Sequence, residues 1–193
     1  GEYDKVYKMC YIDAPKYGND IDEVDLMLRR VNNSILHAFE SVDGGGNYIS
    51  KNMKTSLDQY TKSIHNLMGM VTGALPTGKK AGVALTDGSL SAMPGTDVNG
   101  ATALINSAAK ANDATKWCAT HMNMKLPPEQ LKTRKGRESM MNLVRTLFQN
   151  DGYHIQFNVL DTEMLRDAQK HPEKYRDLVV RVAGFSAFFT KLH

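Results

Sequence analysis

The sequence predicts an α/β fold, and three observations lead to that prediction. Residues 20–40 and 134–148 both place apolar side chains at helical spacing. Residues 153–160 (YHIQFNVL) alternate between apolar and polar side chains, as a half-buried strand does. A helix and an apolar β run follow, so this end of the chain predicts a strand–helix–strand unit with parallel pairing. With 193 residues, 41% of them hydrophobic, the chain is long enough for one sizeable core.

The first half of the chain predicts helices separated by irregular segments. Acidic residues open the segment 20–40, where they suit the positive end of a helix dipole. Three glycines at 44–46 then break the helical pattern. The stretch 63–100 is rich in loop sequences, and a loop of that length is usually functional or packed against something specific. A short helix is expected over 99–111.

The second half alternates between strands and helices. In order, the predicted elements are a strand at 122–126, a helix at 134–148, a strand at 153–160, a helix at 162–170 and a β run at 177–183. Pro127 and Pro128 end the first of these strands, because proline has no N–H for a sheet ladder. Asp161 stands where an N-cap of the second helix is expected. Pro172 starts a further helical turn.

Composition and charge exclude several classes of protein. The net charge is only +3 and the basic residues are scattered, so a nucleic-acid-binding role is not expected. The basic run at 132–137 (KTRKGR) is interpreted as the solvated start of a helix. The sequence has no run of 18 apolar residues and no signal peptide, so neither a membrane span nor secretion is expected. Two distant cysteines favour a reducing cytoplasm over a disulfide scaffold.

Most candidate chemical groups have an ordinary structural interpretation. The six histidines share no metal spacing, so no metal site is expected, and His154 is interpreted as a hydrogen-bonded core or rim residue. Ser186 lacks the G-x-S-x-G elbow of a serine hydrolase. The glycine-rich stretch 73–82 has the wrong spacing for a phosphate-binding loop. Residues 95–100 (GTDVNG) could hold an anion with backbone N–H groups or form an Asx turn and helix cap. Cys118 could be a nucleophile or a half-buried small apolar residue.

One stretch, residues 181–189 (RVAGFSAFF), reads as an apolar strand with a glycine at its centre. A glycine there gives up packing and costs backbone entropy, which calls for a bulge, a close backbone approach or a function. The stretch resembles the glycyl radical signature of the pyruvate formate-lyase-like superfamily, whose pattern is Arg-Val-x-Gly-aromatic. The matching residues are Arg181, Val182, Ala183, Gly184 and Phe185, and Ser186 follows them.

The resemblance extends over three longer stretches, residues 14–25, 71–110 and 154–185. It implies that Gly184 carries a backbone radical as its cofactor, installed by an activating enzyme that uses S-adenosylmethionine and an iron–sulfur cluster. It also implies a ten-stranded α/β barrel in which the glycine loop meets a cysteine loop, and from which the glycine loop leaves during activation. The apolar neighbours Val182, Phe185, Ala187 and Phe188 would then line the radical site and keep it dry.

The sequence departs from the family pattern in one respect. Neither Cys10 nor Cys118 has the context of the catalytic cysteine, and the glutamate that follows it in many members is absent. The chain also begins without Met and ends soon after the radical motif. We therefore expect one portion of a larger enzyme, with residues 1–62 as a helical segment of the barrel and residues 63–193 as the glycine radical region. The remaining barrel portion would carry the cysteine, and the complete enzyme is expected to be a homodimer.

The sequence indicates the family more clearly than it indicates the reaction. The sequence is most similar to members that make or break a C–C bond, either by adding hydrocarbons to fumarate or by decarboxylating arylacetates. Dehydratases and C–N lyases of the same family share much of the same sequence and remain alternatives. A stand-alone subunit that repairs an oxygen-damaged glycyl radical enzyme is a further alternative. In each case a small organic substrate is expected.

Overall fold

A computed structural model describes residues 1–41, 57–59, 64–181 and 186–191. The helices are α1 (Glu2–Tyr7), α2 (Asp22–Ser41), α3 (Ile64–Val71), α4 (Gly100–Ala111), α5 (Pro128–Lys132), α6 (Arg134–Gln149) and α7 (Thr162–Lys170). The strands are β1 (Asn123–Leu126), β2 (Gln156–Val159), β3 (Val179–Arg181) and β4 (Ser186–Phe188). A π-helical turn (Lys8–Asp13) and two 3-10 turns (Pro172–Lys174 and Phe189–Lys191) complete the described elements. The mixed α/β character predicted from the sequence is confirmed.

The core lies around α4. Ile105 and Ala108 on this helix have no exposed surface, and Met122, Met124 and Leu147 pack in the same cluster. α2 and α6 both pack against α4. Complete burial of one side chain such as Ile105 stabilises the fold by about 1.5–3 kcal/mol. The helices that the periodicity predicted at 20–40, 99–111 and 134–148 are thus confirmed.

A polar network joins α2 to α4. Ser107 donates to Asp25 Oδ2 at 2.9 Å and accepts from the backbone N–H of Asp20 at 2.9 Å. Lys110 on α4 contacts the carboxylates of Asp20, at 2.5 Å, and Asp22. Burial raises the pKa of Asp25, against the hydrogen bond from Ser107. The acidic start of α2 therefore serves packing against α4 as well as the helix dipole.

The two-stranded parallel sheet is formed by β1 and β2, which are joined by α5 and α6. Its register pairs Asn123 with Gln156 and Leu126 with Val159. The prediction that residues 153–160 pair in parallel with 177–183 is wrong, because β3 pairs antiparallel with β4 among the described residues. The strand–helix–strand unit is therefore β1–α6–β2. The sequence showed strands on both sides of α7 but could not show their partners, since pairing is set by contacts distant in sequence.

Residues 64–100 contain more helix than the loop-rich sequence of 63–100 predicts. The helix α3 occupies Ile64–Val71, and the irregular segment follows it. Gly78 in this segment has φ +93°, and a Cβ at that position would overlap the ring of Tyr11. A glycine is needed there for both reasons. In the described part of the chain, no helix combines the length and the hydrophobicity that crossing a membrane requires.

Asp113 lies in the turn that follows α4, and its side chain attaches this turn to α2. Its carboxylate accepts from Thr115 Oγ1 at 2.6 Å and Asn33 Nδ2 at 2.7 Å, and Arg29 Nη2 lies 3.4 Å away. Burial alone would raise the pKa of Asp113, but these hydrogen bonds and the Arg29 charge outweigh it and lower the pKa to about 2. Because this value is below that of the unfolded chain, about 3.9, the carboxylate stabilises the fold above pH 4.

Asp113→Asn should therefore destabilise the fold by about 2 kcal/mol at pH 7. The difference from the natural protein should shrink as the pH falls from about 4 to about 2, because both proteins are then uncharged at this position. Urea unfolding of the enzyme that contains this chain, measured at pH 7 and at pH 3, checks this. Asp177→Asn, the same change on an exposed side chain, is the control. A destabilisation of Asp113→Asn that does not change with pH would contradict the assigned role.

Candidate functional site

The segment that carries the radical motif is a β-hairpin rather than one strand. β3 and β4 pair antiparallel, Val180 with Ala187 and Arg181 with Ser186. The prediction of a single strand over 181–189 is therefore wrong. We call Arg181 and Ser186 the closing pair, because they are the last paired residues on either side of 182–185. Val182, Ala183, Gly184 and Phe185, which are four of the predicted site residues, lie outside the described residues.

The two faces of this hairpin differ in burial. Val180 is buried, whereas Val179 is 50% and Phe188 41% exposed. Ala187 is half-buried, and Arg181 and Ser186 are exposed. Of the residues expected to form a dry lining, Phe188 is thus open in this chain, and Val182 and Phe185 are outside the described residues.

The base of the hairpin is held separately from its closing pair. The backbone N–H of Phe189 donates to the carbonyl of Leu178 at 2.7 Å. The 3-10 turn that begins at Phe189 lies against α7. α7 itself is capped as the sequence predicts, since Asp161 Oδ1 accepts from the backbone N–H groups of Glu163 at 2.8 Å and Met164 at 3.3 Å. The base therefore rests on a well-formed helix.

The closing pair contacts the start of β2. Arg181 Nε donates to Gln156 Oε1 at 3.2 Å. Gln156 is fixed in the sheet, because its backbone N–H donates to the carbonyl of Met122 at 2.9 Å. This hydrogen bond joins two residues that are 25 positions apart in sequence. The sequence analysis did not select Gln156.

Two histidines lie beside this contact. The ring centroids of His121 and His154 are 4.6 Å apart. Burial lowers the pKa of His121, with a smaller contribution from His154 and an opposing one from Asp87. Burial and then the charge of Arg181 lower the pKa of His154. Both imidazoles are therefore neutral at pH 7 and above. His154 is half-buried, as expected for a rim histidine.

The spacing of residues in the sequence could have shown part of this grouping of His154, Gln156 and His121. His154 and Gln156 are two residues apart, and alternate residues of a strand share one face of the sheet. His121 precedes Asn123 by the same interval, and Asn123 is the register partner of Gln156. What the sequence lacks is the register itself. His121 was missed because the pairing of β1 with β2 was missed.

Residues 87–91, in the irregular segment before α4, hold the strand β1 in place. Ser89 Oγ accepts from the backbone N–H of His121 at 2.9 Å, and Ser91 Oγ accepts from that of Asn123 at 3.0 Å. Asn123 Nδ2 donates to the carbonyl of Asp87 at 2.7 Å. The segment therefore acts as a structural clamp on the residues that lead into β1.

Residues 95–100 form a turn around an internal side chain. The buried Asn19 accepts from the backbone N–H groups of Val98 at 2.8 Å and Asn99 at 3.0 Å through Oδ1. Its Nδ2 donates to the carbonyl of Thr96 at 2.7 Å. These N–H groups bind Asn19 instead of an external anion, so the anion cradle does not fit the structure. The residues form a turn, but Asn99 at the N-cap of α4 makes no side-chain capping hydrogen bond, so the helix-cap part of the other interpretation is not confirmed.

The two cysteines differ in exposure. Cys118 is exposed, so its expected half-burial is wrong, and Cys10 is half-buried in the π-helical turn. The carbonyl of Cys10 accepts from Lys16 Nζ at 2.5 Å. Across the described ranges, no group of three or more His, Cys, Asp or Glu side chains is arranged to hold a metal ion.

The described fold combines a two-stranded parallel sheet, the helices packed around α4 and an antiparallel pair, β3 and β4, on either side of residues 182–185. A protein-family profile described as "Glycine radical" matches residues 86–190, more than half of the chain. The chain therefore belongs to the glycyl radical family. The resemblance noted from the sequence is confirmed.

Several known proteins are similar to this chain. Indoleacetate decarboxylase of Tractidigestivibacter scatoligenes is 43% identical over 183 residues, which cover 94% of this chain and 20% of that protein. The 4-hydroxyphenylacetate decarboxylase glycyl radical subunit of Clostridioides difficile is 39% identical over 192 residues, covering 100% and 20%. The solved B12-independent glycerol dehydratase of Clostridium butyricum, in its glycerol-bound form, aligns with a TM-score of 0.87 at 38% identity, covering 100% and 24%. The chain spans about a fifth of the length of these curated relatives.

Proposed function

We propose that this chain is the radical-bearing C-terminal portion of a glycyl radical enzyme and that it stores the radical on Gly184. The observation that carries the proposal is the family match over residues 86–190, which includes the Arg-Val-x-Gly-aromatic sequence. Glycine suits the role because it has no Cβ. A radical at its Cα can flatten and delocalise over the flanking amides, and a partner enzyme can reach the hydrogen.

The proposed chemistry moves one hydrogen atom at a time. An activating enzyme of the S-adenosylmethionine and iron–sulfur type takes a hydrogen atom from the Cα of Gly184 and leaves a carbon radical. That radical then takes a hydrogen atom from a cysteine thiol on the remaining barrel portion, which becomes a thiyl radical. The thiyl acts on the substrate, and the hydrogen atom returns at the end of turnover. No metal in this chain is needed for these steps.

The exposed apolar surface supports a missing barrel portion. A large patch of exposed apolar side chains usually marks an interface with another part of a protein or with a partner. Two helices expose apolar residues of this type, Leu26, Met27, Val31 and Ile35 on α2 and Ile64, Leu67, Met68 and Val71 on α3. We propose that the rest of a ten-stranded α/β barrel covers them. That portion would carry the catalytic cysteine. The complete enzyme would be a homodimer that works in the cytoplasm under anaerobic conditions.

For the reaction we propose cleavage of a C–C bond, with decarboxylation of an arylacetate favoured over addition to fumarate. Two similar proteins, at 43% and 39% identity, are decarboxylases of indoleacetate and 4-hydroxyphenylacetate. The substrate would then be a small aromatic carboxylate. Its carboxylate leaves as CO2 and one proton takes its place overall, so that the arylacetate anion and a proton give the methylarene and CO2.

Dehydration is the second candidate, because the glycerol dehydratase aligns with a TM-score of 0.87 over the whole chain. Separate assays with each substrate distinguish the two reactions. The complete enzyme, activated anaerobically, is given indoleacetate, 4-hydroxyphenylacetate and glycerol in separate reactions. We expect CO2 and a methylarene from an arylacetate and no aldehyde from glycerol. Aldehyde from glycerol, with no CO2 from either acid, would overturn the decarboxylase assignment.

A further inference from the structure

Among the described residues, a side-chain hydrogen bond from Arg181 Nε to Gln156 Oε1, at 3.2 Å, joins the hairpin of β3 and β4 to the parallel sheet. We propose that Gln156 is a positioning residue that holds the closing pair of the hairpin against the start of β2. The consequence for the radical rests on the proposed function, because it assumes that Gly184 between the closing residues is the radical site. The contact itself does not depend on that assumption.

Gln156 is suited to hold another element because it is itself held. It is the first residue of β2 and pairs with Asn123 of β1. Its backbone N–H donates to Met122, a residue of the buried core. The position of Oε1 is thus set by the sheet, whereas Arg181 is on an exposed face of β3. The donor is charged, which strengthens such a bond, although exposure to water weakens it again.

The hairpin has different anchors at its two ends. Its base is closed by the hydrogen bond from Phe189 to Leu178 and rests on α7. Its middle is held by the buried Val180. The bond to Gln156 lies at the other end, at the closing pair. Loss of this bond should therefore loosen the closing pair from β2 while the base stays in place.

The bond should control how often the closing pair is released. A protein that acts on a segment must wait for the fraction of molecules in which that segment is open, and its rate follows this fraction. A hydrogen bond with a net value near 1 kcal/mol changes such a fraction by about five-fold. Hydrogen-atom removal by a limiting activating enzyme should therefore become faster when the bond is lost and slower when it is strengthened.

Two variants of similar size test the proposal in opposite directions. Gln156→Leu removes the acceptor, and Gln156→Glu replaces it with a carboxylate that attracts Arg181 more strongly. At pH 8 we expect radical formation, followed by electron paramagnetic resonance at limiting activating enzyme, to be about five-fold faster in the first variant and several-fold slower in the second. Gln149→Glu, the same change at the exposed end of α6, is the control and should match the natural enzyme.

Hydrogen exchange of the backbone amides of β3 and β4 provides a readout that needs no radical. Measured on the complete enzyme before activation, it should be faster in Gln156→Leu and slower in Gln156→Glu. A change in the same direction in both variants, or in neither, would overturn the positioning role. If exchange shifts as expected but no variant, including the natural enzyme, forms a radical, the positioning role stands and the radical assignment to Gly184 fails.

Discussion

Gly184→Ala is expected to abolish the radical completely while the fold is kept. An added methyl group blocks planar delocalisation at Cα and the approach to its hydrogen, so the chemistry is lost. One methyl group in a segment between two short strands costs a few kcal/mol at most. The expected result is therefore an enzyme that folds and assembles but gives no electron paramagnetic resonance signal after anaerobic treatment with its activating enzyme.

The signal of the natural enzyme has a form that can be checked. A glycyl radical keeps one hydrogen on its Cα, which splits the signal into a doublet, and deuterated glycine should collapse it. Gly73→Ala is the matched control, since nothing lies within 4 Å of an added Cβ there, and it should keep the doublet. A doublet of natural intensity in Gly184→Ala would place the radical elsewhere. Failure of Gly184→Ala to fold would mean that the glycine also has a structural role.

Exposure of the activated enzyme to air is expected to cut the chain at Gly184. Oxygen adds to a carbon radical, and a peroxyl adduct at a backbone Cα breaks the chain at that residue. Mass spectrometry should then find the chain broken at residue 184, in proportion to the radical measured before exposure. The cut is expected at one position only, which makes the experiment as specific as the substitution.

Two samples make the cleavage experiment specific. The natural enzyme without activation and Gly184→Ala after activation should both keep their full mass in air. Cleavage of either sample at residue 184 would mean that the break does not come from a radical there. A full-length natural chain after activation and exposure, with the doublet lost, would contradict storage of the radical on Gly184.

The sequence by itself determined four of the described helices and the family. α2, α4, α6 and α7 were predicted from residue spacing and, for α7, from the cap of Asp161, because these signals are local. β1 and its end before Pro127 were found for the same reason. The radical motif and its resemblance were also readable, since they are a matter of residue order. All of these features depend on neighbours within a few positions.

Only the tertiary structure decided which strands pair and what the hairpin contacts. The pairing of β1 with β2, the hairpin of β3 with β4 and the bond from Arg181 to Gln156 join residues whose separation no local pattern encodes. An apolar run fits a parallel or an antiparallel partner equally well, and the choice depends on the packing of the whole chain. The candidate radical residue was therefore readable from the sequence, whereas the contact between Arg181 and Gln156 was not.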